Sequence, residues 1–464
     1  MAAPMKPQSL SCVSWSKYLF YFASEHLDFR LAELEAISQA TKSEVRFDEE
    51  SYDVKNPFLV VESPSIECIH RILSRSVLLR SIHQLLAQGT STEELHENVR
   101  KMPKDLLDPY SKPDQTFAMR VETFNKKIPQ KVKIEKIKAL PLAELGFKGT
   151  VDLKNPDNEF HLFEYYGWDC NNAPDEPYHS YFGRKIGEGQ RDRIQEYHLQ
   201  KRHFIGNTSM DAGLSFIMSN LAQVTQNSLV LDPFVGTGSL LVSAAHYGGY
   251  VMGTEIDYLV LHAKGKPSRS KQKVRAIDES IHANLKQYGL ESHYIDVIVA
   301  DSSKQNMWRD QSYFDAIITD PPYGIREPAK KIRAATEDYI ITDDMKDCHY
   351  PQKEQYELTD IFIDLLNFAA KYLQLYGRLV YWFPVIRAQY SESNIPQHPC
   401  FKLIANCEQP LSMKVARRLI TMEKIHPYKD DTAEARIDID HFQGSFRQKY
   451  FHKEKEIPNK TNPS

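Results

Sequence analysis

Apolar positions follow two regimes along the chain. Up to about residue 165 their period keeps changing. Tyr18 to Ala23 is a compact apolar run that predicts a short strand, and Leu27, Leu31, Leu34 and Ile37 then recur at helical spacing with Arg30, Glu33 and Glu35 between them. Phe58 to Val61 predicts a strand, and Cys68, Ile69, Ile72 and Leu73 form one helix face. Val77 to Ile82 predicts a third strand and Glu93 to Val99 a third helix. Phe117 to Phe124 alternates with period two, as a half-buried strand does. Val151 to Leu153 and Phe160 to Phe163 flank a turn at Lys154-Asn155-Pro156-Asp157. Residues 1–165 read as a small α+β region, with 1–50 as an opening segment and 51–165 as its body.

From about residue 206 the pattern becomes strand, helix, strand, helix. Leu214, Ile217, Met218 and Leu221 form a helix face entered after Thr208 and Ser209, which are good caps. Strands are predicted at Ser228–Leu231, Tyr250–Thr254, Tyr294–Ala300, Phe314–Thr319, Arg378–Phe383, Phe401–Glu408 and Arg418–Glu423. Helices are predicted at Gly238–Tyr247, at Lys273–Tyr288 closed by Gly289, and at Leu358–Leu375 closed by Gly377. Residues 326–352 are polar without a clear period and read as an insertion or flap. The polar tail, 447–464, reads as disordered. Such alternation implies a mostly parallel sheet with helices on both faces, an α/β fold spanning 206–446.

Two stretches break the pattern. Lys126, Lys127, Lys131, Lys133, Lys136 and Lys138 face one acid, Glu135, within 13 positions. A solvated face is the ordinary reading of such a run, but it stands out in a chain of net charge −4. Residues 166–205 mix tyrosines with Arg184, Lys185, Arg191 and Arg193 and have weak periodicity. They read either as a plain linker or as an interface for phosphates and bases. At 41% hydrophobic and 26% charged residues, the 464-residue composition is that of a soluble globular chain. No apolar run reaches membrane-spanning length. Six cysteines without a Cys-x-x-Cys pair point to free thiols, no metal site and a cytosolic or nuclear location, of which we take the cytoplasm.

The chemistry gathers at four strand ends. The first is Asp232-Pro233-Phe234-Val235-Gly236-Thr237-Gly238, where Gly236 and Gly238 allow a tight turn and a close ligand at a helix start. It lacks the Gly-Lys-Ser/Thr ending of a phosphate-binding loop, which disfavours nucleotide hydrolysis. Glu255 follows about 20 residues on, where a carboxylate holds ribose hydroxyls. Asp301 is placed to accept from an adenine amino group. The last is Asp320-Pro321-Pro322-Tyr323-Gly324. The prolines stop the strand, leaving a carboxylate, stiffly held carbonyls and an aromatic face. That set suits a planar group bearing an NH2. A dinucleotide enzyme would share the first two features without needing the Pro-Pro-Tyr loop.

Leu231 to Gly238 followed by Asp320 to Gly324 resembles the S-adenosylmethionine-dependent amino-methyltransferases. Phe204 to Asp211 resembles the upstream cofactor-side segment of that class. Val151 to Asp157 resembles the end of a THUMP domain, an RNA-binding module. The combination resembles the tRNA guanine-10 N2-methyltransferases over most of residues 50–425. The resemblance implies a Rossmann-like seven-stranded methyltransferase sheet behind an N-terminal α+β THUMP-like region, with S-adenosylmethionine as cofactor and tRNA as partner. It implies that Asp232, Gly236 and Gly238 line the methionine and ribose end of the cofactor. Glu255 would hold the ribose, Asp301 the adenine, and Thr208 and Ser209 would lie near the methionine carboxylate. Asp320, Pro321, Pro322 and Tyr323 would take the base. It also implies a heterodimer with a small zinc-binding activator protein. Another acceptor (other RNA, DNA adenine or a protein amide) and a non-catalytic RNA-binding subunit remain as alternatives.

Overall fold

The computed structural model describes residues 14–50, 52–141, 145–269, 272–324, 329–333 and 351–437. It divides into two units, Met1–Ile194 and Gln195–Ser464.

The first unit is built on a six-stranded sheet of order β2-β1-β3-β6-β5-β4. Its strands are β1 (Ser16–Phe22), β2 (Phe58–Ser63), β3 (Leu79–Gly89), β4 (Phe117–Phe124), β5 (Asn158–Tyr165) and β6 (His179–Glu188). Its helices are α1 (Arg30–Ala40), α2 (Ile66–Leu73), α3 (Thr92–Lys101) and α4 (Gln130–Ala139). Ser65 and Ser91 cap α2 and α3 by accepting from Cys68 N and Glu94 N. Two charged side chains are buried where α1 meets the loops. Arg30 donates to the carbonyls of Ala23, Val54 and Asn56. Glu33 accepts from Ser76 Oγ and from the N–H groups of Val77 and Leu78. Fully bonded, both tolerate burial.

Two expectations change here, and a third stretch gains an element. The opening segment 1–50 is not separate, because β1 lies between β2 and β3. The stretch 166–205 is not a linker: β6 is an internal strand, antiparallel to β3 and β5. Four of the six lysines, Lys131 to Lys138, stand on a helix, α4, in which no residue is fully buried; Lys126 and Lys127 precede it.

The second unit carries a seven-stranded sheet of order β14-β15-β13-β10-β7-β8-β9. These are β7 (Leu229–Asp232), β8 (Tyr250–Glu255), β9 (Tyr294–Val299), β10 (Phe314–Thr319), β13 (Leu373–Ile386), β14 (Phe401–Pro410) and β15 (Val415–Lys424). The ladder from β13 through β10, β7 and β8 to β9 is parallel. β15 runs antiparallel between β13 and β14. A separate ribbon pairs β11 (Lys330–Ile332) with β12 (Lys353–Gln355). Helices include α5 (Ala212–Leu221), α6 (Ser239–His246), α7 (Tyr258–Leu261), α8 (Ile281–Gln287) and α9 (Leu358–Tyr372). The inner face of α9 (Phe362, Leu365, Leu366, Ala369) packs on Phe314, Ile317, Tyr381 and Phe383.

The helix expected over Lys273–Tyr288 is only its last turns, α8. The helix expected to run to Leu375 ends at Tyr372, and β13 begins at once. Most of the 326–352 insertion and all of the 447–464 tail lie outside the described residues. No helix among the described residues is long and apolar enough to cross a membrane.

Candidate active site

Strand order reverses between β7 and β10. β7 leads outward to β8 and β9, and the chain then returns to the other side of β7. In open α/β sheets such a switch opens a crevice at the carboxyl ends of the strands. Asp232 ends β7 and Asp320 follows β10, so the two flank the crevice. Thr319 ties them, its hydroxyl donating to Asp232 Oδ1 at 2.7 Å.

Asp232 is 2% exposed. Its Oδ1 also accepts from Phe234 N at 3.0 Å. Burial pushes its pKa up to about 7. The two hydrogen bonds pull it down, while the charges of Asp320 and Glu255 push it further up.

The glycine loop adopts the backbone it was expected to need. Gly236 has φ +51 and a Cβ there would meet nothing within 4 Å, so it faces open space. Gly238 has φ +74 and caps α6; a Cβ there would come within 2.6 Å of Ile281. Glu255 ends β8 and holds the loop, accepting Gly236 N at 3.0 Å and Asp257 N at 2.9 Å. The upstream segment joins from below. Ser209 Oγ accepts Gly206 N at 2.8 Å and bonds Thr237 Oγ1 at 2.6 Å. Thr208 sits beside it in the same turn. Asp301, beyond β9, is buried, with Oδ1 accepting Ser303 N at 2.9 Å and Oδ2 accepting Ile332 N of the β11 ribbon at 2.6 Å. The ribbon thus bonds one oxygen of the carboxylate expected to meet an adenine.

Asp320 begins the Pro-Pro loop. Its Oδ1 accepts the Tyr323 hydroxyl, and its Oδ2 accepts Arg417 Nη1 at 3.2 Å. Burial raises the Asp320 carboxyl, and the Arg417 charge and the two hydrogen bonds oppose that rise. Burial and the Asp320 charge hold Tyr323 well above the ordinary phenol range, so its hydroxyl is a donor. Pro321 is buried and Pro322 half-buried.

Arg417 was missed in the sequence. The strand expected from Arg418 begins at Val415, which places Arg417 in the ladder opposite Pro384 and Gln409. Trp382, two residues along β13, lies under its guanidinium at 3.9 Å. Arg202, one of the basic residues of the 166–205 stretch, faces inward and not toward a phosphate. It is buried and donates to Ser239 Oγ at 2.9 Å in the first turn of α6.

The basic residues of the first unit do not form one free patch. Lys126 donates to the carbonyls of Pro174 and Asp175. Lys136 pairs with buried Glu164 at 2.7 Å. Arg184 stacks 3.7 Å over Tyr110, and Lys185 pairs with Glu159 and Glu188. Arg191 donates to Val77 O and Glu25, and Arg193 is half-buried nearby in sequence. Lys127, Lys131 and Lys138 are exposed and Lys133 is half-exposed.

Residues 16–191 match the model of the Tmrp11 THUMP N-terminal domain, and residues 200–336 that of the RMKL-like methyltransferase domain. The chain is 47% identical to the tRNA (guanine(10)-N(2))-methyltransferase TRMT11 of Rattus norvegicus, over 94% of this chain and 95% of that protein. It is 46% identical to the Homo sapiens protein of the same name, over 96% of each. Among solved structures, TrmN from Thermus thermophilus aligns with 88% of this chain and 100% of its own at 17% identity and a TM-score of 0.42.

Proposed function

The chain belongs to the family of tRNA (guanine(10)-N(2))-methyltransferases, and from that premise we propose that it transfers a methyl group from S-adenosylmethionine to the exocyclic N2 of a tRNA guanosine. The observation that carries this reading is Asp320. Its carboxylate stands at the crevice with a tyrosine on one oxygen and an arginine on the other, one strand from the glycine loop.

The residues around the loop fit the cofactor. Gly236 leaves space where a side chain would stand, and carboxylates end three successive strands at Asp232, Glu255 and Asp301. Asp232 with Gly236 and Gly238 would line the methionine and ribose end, Glu255 the ribose, Asp301 the adenine, and Thr208 with Ser209 the methionine carboxylate. When bound, the cofactor supplies an electrophilic methyl on a positively charged sulfur.

The acceptor side supplies the rest. Guanine N2 is a poor nucleophile because its lone pair is delocalised into the ring. Asp320 and the Pro321 carbonyl would accept its two hydrogens and turn the lone pair toward the methyl. Positive charge then grows on nitrogen, where a fixed carboxylate stabilises it. Tyr323 would stack on the base, which must leave its helix to arrive, and Pro322 keeps the loop stiff. The methylated nitrogen loses its extra proton to solvent.

Lys127, Lys131, Lys133 and Lys138 support an RNA-facing role for the first unit. A small zinc-binding activator is the proposed partner of the second. Its sheet edge at β9 exposes Ile295 and Val299 at 48% and 47%, with Val274 at 79% in the segment leading to α8. Such apolar exposure fits a docked protein. Four free cysteines among the described residues suit a cytoplasmic location.

Asp320→Ala should abolish methyl transfer to tRNA while cofactor binding survives. Normal turnover in that variant would overturn the mechanism. Mass spectrometry of nucleosides from tRNA made with and without the protein identifies the methylated base. Co-expression with the activator should relieve insolubility of the isolated chain.

A further inference from the structure

Both oxygens of Asp320 are occupied, and the two occupants differ in how firmly they are held. Arg417 is fixed from several sides. Its Nε donates to Gln409 Oε1 of β14 at 2.7 Å, and Nη2 lies 3.6 Å from Met210 Sδ. The guanidinium carbon rests 3.9 Å over the Trp382 ring of β13, and the side chain is 14% exposed. The register explains the grouping. Thr319 pairs with Tyr381, so Asp320 continues beside Trp382, and Pro384 pairs with Arg417. Asp320, Trp382 and Arg417 therefore share one sheet face. Tyr323 is held differently: its hydroxyl meets Asp320 and Arg417, not the sheet. It stands on the loop past two prolines, and stacking on a base would take its hydroxyl off Oδ1.

We infer that Arg417 is the positioning residue of the acceptor site: it holds Oδ2 of Asp320 in place, so that Oδ1, covered by Tyr323 in this structure, is the oxygen offered to the incoming amine. The inference rests on the methyl-transfer reading above and adds to it a division of labour within one carboxylate. Arg417 also decides the charge. Asp320 faces Tyr323 on its own loop, Arg417 on β15, and Asp232 at the end of β7, with Glu255 of β8 behind Asp232. Burial favours the protonated carboxyl. A protonated Asp320 would present one fewer acceptor and could not stabilise positive charge on nitrogen. The guanidinium, with its planar fork and permanent charge, opposes that.

The test is the pH profile of kcat/KM for tRNA, measured at saturating cofactor so that Asp232 does not limit the reading. The full chain is used, with its activator where activity requires one. Wild type, Arg417→Met and Arg417→Lys are compared, and cofactor affinity of each reports folding. In Arg417→Met the acid limb should move up by about one pH unit or more, with activity recovering toward alkaline pH. Arg417→Lys keeps the cation, so its limb should stay near the wild-type position, while kcat falls roughly tenfold from lost geometry. An unmoved limb in Arg417→Met, or equal limbs in the two variants, would overturn the inference. Failure of the reading beneath it looks different: wild type would then leave tRNA guanosine unmethylated, or Asp320→Ala would turn over normally.

Discussion

Replacing Asp232 by Asn should make the second unit more stable above neutral pH. Asp232 is buried at the sheet switch with its pKa pushed up to about 7, against an ordinary 3.8. The folded chain therefore keeps a proton that the unfolded chain has already released across the window between those values. Stability must fall as pH rises through that window and level off above pH 7. The loss is about 1.7 kcal/mol at pH 5 and roughly 4 kcal/mol at pH 8, so about 2.5 kcal/mol separates the two conditions. Asn has no such titration. Both hydrogen bonds that Asp232 accepts land on Oδ1, from Thr319 and Phe234, and an amide oxygen can take both. Urea unfolding at pH 5, 6, 7 and 8 would be read by pulsed hydrogen exchange on β7 and β10 peptides, which isolates this unit from the first. Wild type should lose stability with rising pH and the variant should lack that slope. Parallel slopes would show that the carboxyl is not held protonated, and would refute the reasoning.

Cofactor binding should draw on the same proton. A cationic ligand favours the ionised Asp232, so binding below pH 7 should release a proton and weaken by up to about tenfold per pH unit; calorimetry in buffers of different ionisation enthalpy measures both. Lys131→Gln with Lys138→Gln should make the salt dependence of tRNA affinity shallower by about two, and an unchanged slope in a filter-binding titration would return α4 to a solvated face. Lys136→Met should instead destabilise the first unit by about 3 kcal/mol, because it removes the cation from Glu164, whose side chain is 4% exposed and keeps the Tyr166 hydroxyl on its other oxygen. A chemical melt decides, and a neutral result would mean that Glu164 finds another partner.

The donor half of the site was legible in the sequence because each part is local. A short apolar run, an acid at its end and glycines at the next helix start lie within about ten residues of each other. The acceptor loop was legible for the same reason. Arg417 was not. It sits 97 positions from Asp320, and only the register of β13 with β15 brings it there. In isolation, Val415-Ala416-Arg417-Arg418 shows no preference for either face. β6 was misread because its glycines and basic residues suggest a linker. Gly183 is needed where a Cβ would come within 2.7 Å of Gln84 O, and Arg184 is half-buried over Tyr110. The lysine run hid a helix because its apolar residues, Val132, Ile134 and Ile137, never become fully buried, so no helical stripe forms.

The hairpin of β14 and β15 has a consequence for the chain as it is made. Synthesis runs from the amino terminus, and a domain's early segments leave the ribosome first. β7, β8, β9 and β10 can associate while the last strands are still being added. The donor loop and Asp320 would then be in place, but the guanidinium beside that carboxylate would not. β15 inserts between β13 and β14, so β14 has no ladder to join, and β13 has only its β10 side, before residue 424 is out. A nascent chain can thus assemble a cofactor pocket before it can order an acceptor pocket. Competence for chemistry is the last property the unit acquires, a timing written into strand order.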